Sequence, residues 1–462
     1  MANLAEAAYM VAAALFILGI MLLRAPSTAR NGNLLAALGM LIALVFGVLS
    51  TPLHHAVMMA IVFVIAAAAG AAVARMVKMT AMPQLVALFN GMGGGAASLV
   101  ALEVTLRSVS GGAALEPVTS IPGFFTLMIG SISFAGSLIA FGKLQGILSG
   151  RPMVFRAQHL VNLVFLLIIV VGALTAIAGT EGAGVMAAVV VAAALILGVL
   201  FVLPVGGADM PVIISLLNSL TGLAAAATGF VLANDLLIVA GALVGASGTI
   251  LTLIMSRAMH RSLANVLFSG FGKVQQGAGE SAAGSIHPTT ADEVAMMLAY
   301  SQRVVVVPGY GLAVARAQQE VKELMDRLVE RGVEVRFGIH PVAGRMPGHM
   351  NVLLAEANVP YNRLCEMERI NPDFVHTDVV LVIGANDVTN PAARTNPSSP
   401  IYGMPVLNVD QAKTVVVLKR SMAPGFAGID NDLFLMDKTL MLFGDARASV
   451  AALVQELRQV AV

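Results

Sequence analysis

The chain has a single cysteine, no tryptophan and very little charge. Cys365 alone excludes a disulfide, an iron–sulfur cluster or a cysteine-ligated zinc within this chain. Charged residues make up only 11% of the 462 residues against 58% hydrophobic, and the mean hydropathy is +0.87. That balance at this length excludes a soluble globular class and indicates a polytopic membrane protein. A formal charge of +1 carries no nucleic-acid signature. The opening MANLAEAAYMVAAALFILGI lacks a basic stretch, and Glu6 precedes its apolar run. It reads as a first span, not as a cleaved signal or transit peptide.

The charge that exists is unevenly placed. Up to Lys273 there are 11 Lys/Arg and 6 Asp/Glu, and the shorter remainder holds 16 and 20. From about Glu280 the chain therefore reads as an acidic soluble domain of roughly 180 residues, enough for one core. Before it, apolar stretches of spanning length fall at about 5–23, 34–50, 55–74, 83–102, 122–142, 160–178, 184–203, 212–232 and 236–256. Arg24, Arg30, Arg75, Lys78, Lys143, Arg151, Arg156, Arg257 and Arg261 fall in alternate connections or after the last span, and the opposite connections carry only Arg107. The positive-inside rule then puts the N-terminus outside and the tail in the cytoplasm.

Residues 269–285, SGFGKVQQGAGESAAGS, are glycine- and serine-rich without periodicity, as in a flexible linker. The domain reading is 1–262 transmembrane, 263–288 linker and 289–462 a cytoplasmic nucleotide-binding domain. In the tail, strands are expected at 303–307, 333–337, 378–383, 405–409, 414–418 and 440–443. Helices are expected at about 311–331, 349–357, 361–370 and 446–460. Their alternation predicts a Rossmann-like, doubly wound parallel sheet behind about nine transmembrane helices.

RVVVVP (303–308) runs into GYGLAVARAQ (309–318), and VEVRFGI (333–339) opens a second strand. Such a βαβ crossover offers bare backbone amides and a helix start to a pyrophosphate, although the spacing is GxGxxV rather than GxGxxG. Four more loops share its character: HPVAGRMPGHMN (340–351), GANDVTNPAAR (384–394), KRSMAPGFAGIDND (419–432) and GDARAS (444–449). Each alone reads equally well as a surface turn. Together they are expected at the carboxyl ends of the strands, where open α/β sheets bind ligands. The second strand ends VRFGIHP, without the carboxylate that usually binds an NAD ribose. Lys419, Arg420 and Ser421 end another strand and suit the 2′-phosphate of NADP, though a basic pair can also serve solubility.

Those loop strings, with MPQLVALFNGMGGGAAS (82–98), AFGKLQG (140–146), GGADMPVIISLLNSLTGLAAAATGF (206–230) and NDLLIVAGALVGASG (234–248), resemble the proton-translocating nicotinamide nucleotide transhydrogenases. The likeness covers essentially the whole chain and is to the beta subunit of the bacterial split-subunit form. It implies NADP(H) on this chain and no metal. Gly309, Tyr310 and Gly311 would approach the nucleotide, and Val342, Ala343, Gly344, Arg345, Met346 and Pro347 would lie along it. Gly384, Ala385, Asn386, Asp387 and Val388 would hold the nicotinamide side, with Asp387 given the catalytic role near the docking face. Gly403, Met404, Lys419, Arg420, Ser421, Gly425, Phe426, Asp445 and Ala446 would complete the cradle. Some relatives carry Tyr where Phe426 stands.

In the membrane part, Asn90, Asp209 and Asn218 are the candidates for the proton path and its coupling, because polar groups are costly in a bilayer. For Asn90 and Asn218 an interhelical hydrogen bond is an equal alternative. Some family members have histidine where Asn90 stands; here His54 and His55 flank the outer face and His159 and His260 the inner. The glycines of GMGGG and GALVG read as close helix packing.

Transhydrogenation needs two nicotinamides within about 3.5 Å, and one nucleotide unit is present. The resemblance therefore implies an alpha subunit carrying the NAD(H) domain and further transmembrane helices, a dimer of heteromers, and a bacterial inner-membrane location. An ion channel or transporter regulated by a nucleotide-binding domain explains the architecture as well. A quinone or haem oxidoreductase is disfavoured, because the spans lack paired histidines.

Overall fold

The computed structural model describes residues 2–23, 26–50, 56–77, 81–110, 117–149, 153–178, 182–206, 209–258, 285–344, 348–397, 399, 401–425, 427 and 429–460. Arg24, His54, His55, Lys78, Arg151, His260, Arg261, most of the expected linker (263–284), Arg345, Met346, Pro347 and Phe426 lie outside the described residues. The chain divides into two compact units, Met1–Leu253 and Ile254–Val462.

The first unit holds α1 (Ala2–Leu23), α2 (Pro26–Ser50), α3 (Ala56–Met76), α4 (Met82–Ser110), α5 (Pro117–Gln145), α6 (Gln158–Ile177), α7 (Ala183–Val202), α8 (Met210–Val231) and the start of α9 (Asp235–Ala258). Among the described residues these nine are long and apolar enough to cross a membrane. Helices suit such sequences because lipid offers no partners, so every backbone group must bond within its own segment. α1 packs on α2, while α5 lies at the centre of α4, α7 and α8. The GMGGG run does not interrupt α4. A Cβ on Gly94 would stand 2.9 Å from the Gly130 carbonyl of α5, so these glycines let two helices close on each other.

The second unit is a seven-stranded, wholly parallel sheet in the order β1-β7-β6-β5-β2-β3-β4. Its strands are β1 (His287–Pro288), β2 (Arg303–Pro308), β3 (Glu334–Ile339), β4 (Leu364–Glu366), β5 (Val379–Ile383), β6 (Thr414–Lys419) and β7 (Thr439–Phe443). Both faces are covered, so the strands are near-continuous valine and leucine rather than alternating. Val305, Val307, Val380, Val382, Val415 and Val417 join Phe374 and Phe434 in one core cluster. From β2 the chain steps outward to β3 and β4, then returns to place β5 on the other side of β2. That reversal opens a crevice beyond the carboxyl ends of β2 and β5, the ligand position of this architecture.

Three expected elements differ. Residues 405–409 form no strand, because their backbone is taken by loops. The Leu407 N–H donates to the Val388 carbonyl (2.9 Å), and Asn371 brackets Val406 and Asn408. Residues 361–370 are not one helix: Leu364–Glu366 pairs with β3 as an edge strand, burying Cys365. The expected helix over 311–331 breaks at Arg316, which turns left-handed (φ 53°) between Tyr310–Ala315 and Gln318–Glu330. The sequence shows nothing at that point, since Arg is a good helix former. The helix Ala291–Ala299, capped by Thr290 and Glu293, was not anticipated.

Candidate functional site

The crevice holds a cavity of about 590 Å³. Its floor is the meeting of two crossovers. The Gly309 N–H donates to the Ile383 carbonyl and the Gly311 N–H to that of Gly384, both at 2.9 Å. Gly384 is left-handed (φ 65°), and a Cβ on Gly309 would lie 2.3 Å from the Gly384 oxygen. Only glycines allow these backbones to meet, leaving an opening for a ligand to approach main-chain atoms.

Gly309, Tyr310, Gly311, Val342, Ala343, Gly344, Gly384, Ala385, Asn386, Asp387, Val388, Lys419, Arg420, Ser421, Gly425, Asp445 and Ala446 all line the cavity. Gly403 and Met404 do not; they border a separate depression with Arg394, Tyr402 and Asn408. Val314, Ala315, Leu418 and Gly444 line the cavity without having been singled out. Their places follow from strand ends and helix starts, which only the sheet order brings together.

The loop after β6 is fastened to the loop after β5. The Asp387 carboxylate accepts the Ala427 N–H (2.9 Å), and a Cβ on Gly425 would stand 2.4 Å from its Oδ1. Behind it, buried Asn431 donates to the Asn386 carbonyl (3.1 Å) and buried Asn390 to that of Asp430 (2.9 Å). These asparagines were visible only as loop composition; their partners lie 40 or more residues away. Asp445 caps the helix Ala446–Gln459, accepting the N–H groups of Arg447 (3.0 Å) and Ala448 (3.3 Å).

Lys419 and Arg420 stand differently. The Lys419 ammonium donates to the Ala423 carbonyl and sits 4.7 Å over the Phe434 ring. Burial pushes its pKa below the ordinary value, opposed by the nearby Asp387 and Asp430 charges. Arg420 is exposed and has no ion-pair partner among the described residues, so its fork is available to an anion. On the far wall His340 fixes the turn before Val342. It accepts the Val342 N–H at Nδ1 (3.2 Å), which leaves Nε2 to donate to the Pro405 carbonyl (2.8 Å). Burial lowers its pKa and keeps the ring neutral, against the Pro405 carbonyl and Glu368.

In the first unit, Asn90 donates to Ser137 Oγ (2.9 Å) and Ser133 Oγ (3.3 Å) of α5. Ser133 in turn donates to the Leu217 carbonyl of α8 (2.9 Å). The buried Asn90 Oδ1 has no protein partner among the described residues, a place suited to a water. Asn218 is half-buried on α8. Asp209 precedes α8; its N–H donates to the Gly206 carbonyl, and its own carbonyl accepts Val212 and Ile213.

A family model described as NAD(P) transhydrogenase beta subunit matches residues 5–456. The chain is 48% identical over 462 residues to a Rhodospirillum rubrum protein named NAD(P) transhydrogenase subunit beta, across 98% of this chain and 99% of that one. A second protein of that name from the same species matches to the same extent.

Proposed function

The chain belongs to the NAD(P) transhydrogenase beta-subunit family, and from that premise we propose that it binds NADP(H) and carries the membrane path of a proton-translocating enzyme. The observation carrying the reading is the glycine-floored cavity at the switch point, with Lys419 and Arg420 on its rim, in a chain whose described residues include nine helices apolar enough to span a membrane. The lining fits the group: a glycine backbone without Cβ atoms lets a pyrophosphate come close, and an arginine fork with no ion pair among the described residues suits a 2′-phosphate.

On this reading Gly309, Gly311 and Gly384 give the close backbone approach, with Tyr310 and Val342, Ala343 and Gly344 along one side and Asp445 and Ala446 at the other, while the family likeness alone assigns Arg345, Met346 and Pro347 to the nucleotide. Arg420, Lys419 and Ser421 select the phosphate. Asp387 acts by holding Gly425 and Ala427 beside the cavity, so that positioning and not proton transfer is its contribution. A bound NADP(H) would supply the nicotinamide carbon that takes or gives a hydride. The second nicotinamide comes on an alpha subunit that carries the NAD(H) domain and further membrane helices, in a dimer of heteromers. Residues 1–262 lie in a bacterial inner membrane with the N-terminus outside; the tether expected at 263–288 ends before His287, because His287–Pro288 pairs with β7 as β1, and the tail from there faces the cytoplasm. Inward proton passage contributes about 2.3 kcal/mol per charge per 100 mV if it alters the affinity of the tail for the two redox forms.

The test is partner dependence. Purified alone in detergent, the chain is expected to bind NADP and to show no hydride transfer from NADH to an NADP analogue. Turnover should appear when a separate NAD-binding subunit is added. Robust turnover by the single chain contradicts the reading.

Asp209 supplies a second expectation. Asp209→Asn should reduce proton pumping and the reverse reaction, which need NADP(H) to bind and leave. It should spare cyclic hydride exchange at NADP(H) that stays bound. Both rates are measured in vesicles of one variant, and a parallel fall would make Asp209 a structural support only.

A further inference from the structure

Of the lysines, arginines, aspartates and glutamates among the described residues, only Lys143 is buried, at 5% exposure. It sits in the last turn of α5, inside a membrane-spanning helix. A buried ionisable group there is costly and calls for a named partner. Its partners are backbone. Nζ donates to the carbonyls of Val202 (3.3 Å), Leu203 and Val205 (2.8 Å). Val202 is the final residue of α7, so the Val202 and Leu203 oxygens lie at the negative pole of its dipole; they also accept the N–H groups of Val205 (3.2 Å) and Met153 (3.1 Å), and Val205 stands in the turn beyond. An ammonium has three N–H groups, and all three are engaged.

The clamped segment continues through Gly206, whose carbonyl accepts the Asp209 N–H (3.1 Å). Ten residues before Lys143 on α5 stands Ser133, about 15 Å away along the helix axis. Ser133 and Ser137 hold Asn90 of α4, and Ser133 also holds the Leu217 carbonyl of α8. One rigid helix therefore joins the turn that carries Asp209 to the polar cluster around Asn90.

We propose that Lys143 is a positioning residue for coupling: it locks the α7–α8 turn to α5, so that movement at Asp209 is felt at the Asn90–Ser133–Ser137 cluster. This rests on the transhydrogenase reading. Without the ammonium, the buried Val205 carbonyl loses the one donor it has among the described residues, the Val202 and Leu203 carbonyls keep only the Val205 and Met153 N–H groups, and the side-chain tie from this turn to α5 is gone.

The experiment uses inside-out vesicles containing this chain and its NAD-binding partner, with proton uptake, the reverse reaction and cyclic exchange measured on each variant. Lys143→Met is expected to lower proton uptake and the reverse reaction at least tenfold and to keep cyclic exchange within twofold. Lys143→Arg, which retains charge and donors, should regain at least half of the uptake. Proton uptake by Lys143→Met within twofold of the parent overturns the proposal, as does a parallel fall in cyclic exchange or an absence of rescue by Arg. Should the Met variant not accumulate, Lys143→Gln is judged by the same criteria. If neither accumulates, Lys143 is a folding residue and the proposal falls. Hydride transfer without proton uptake in the parent vesicles would instead remove the underlying functional reading.

Discussion

Gly309→Ala is expected to abolish NADP binding, with affinity falling beyond a hundredfold. The added methyl would lie 2.3 Å from the Gly384 oxygen and 2.4 Å from the Ala385 N and Cα. All three are backbone atoms, so no rotamer change relieves the contact. The two crossovers are also held by the Gly309–Ile383 and Gly311–Gly384 hydrogen bonds. Relief therefore requires these bonds to break and the floor of the cavity to open. Gly332→Ala is the control. Gly332 is left-handed (φ 81°), whereas Gly309 is extended, and a Cβ on Gly332 meets open space. It should cost about 1 kcal/mol of stability and leave nucleotide affinity unchanged. Titration of the full chain in detergent decides the matter, and binding by Gly309→Ala within tenfold of the parent would falsify the assignment of the floor.

Arg420→Ala should weaken NADP binding tenfold or more and leave NAD binding unchanged. A charge-assisted hydrogen bond contributes about 1.5–3 kcal/mol, and a 2′-phosphate is what distinguishes the two nucleotides. Arg420 is the informative position because it is exposed and makes no ion pair among the described residues. Its removal therefore takes away charge without unfastening a loop. Lys419→Ala should weaken both nucleotides, since its ammonium also holds the Ala423 carbonyl and faces Asp387 and Asp430. Competition titrations with NADP and NAD on each variant separate the cases. Equal affinity of the unmodified chain for the two nucleotides sinks the phosphate assignment. Equal weakening of both by Arg420→Ala does the same.

The two classes of strand show where sequence reading stops. β2, β5 and β6 are legible because a strand buried on both faces must be apolar throughout, and VVVV, VVLVI and VVVL are. Leu364–Glu366 is an edge strand of three residues, too short to have a period, and it exists only because β3 offers it a partner. Residues 405–409 have strand composition but find their hydrogen bonds at Val388 and Asn371. In the membrane unit, Lys143 reads in sequence as one more positive charge beside a span. Its three carbonyl partners are 59 to 62 residues away.

Composition and local pattern thus determined the membrane class, the apolar spans (nine among the described residues), the parallel α/β tail and most of the loops that line its cavity. These follow from solvation and from the 2.0 and 3.6 periods, which act between near neighbours in the chain. Tertiary structure alone decided which loops share one cavity, where a helix breaks at Arg316, and what Lys143 and Asp387 hold. Each of those depends on a close contact between segments far apart in sequence, and such contacts leave no local trace.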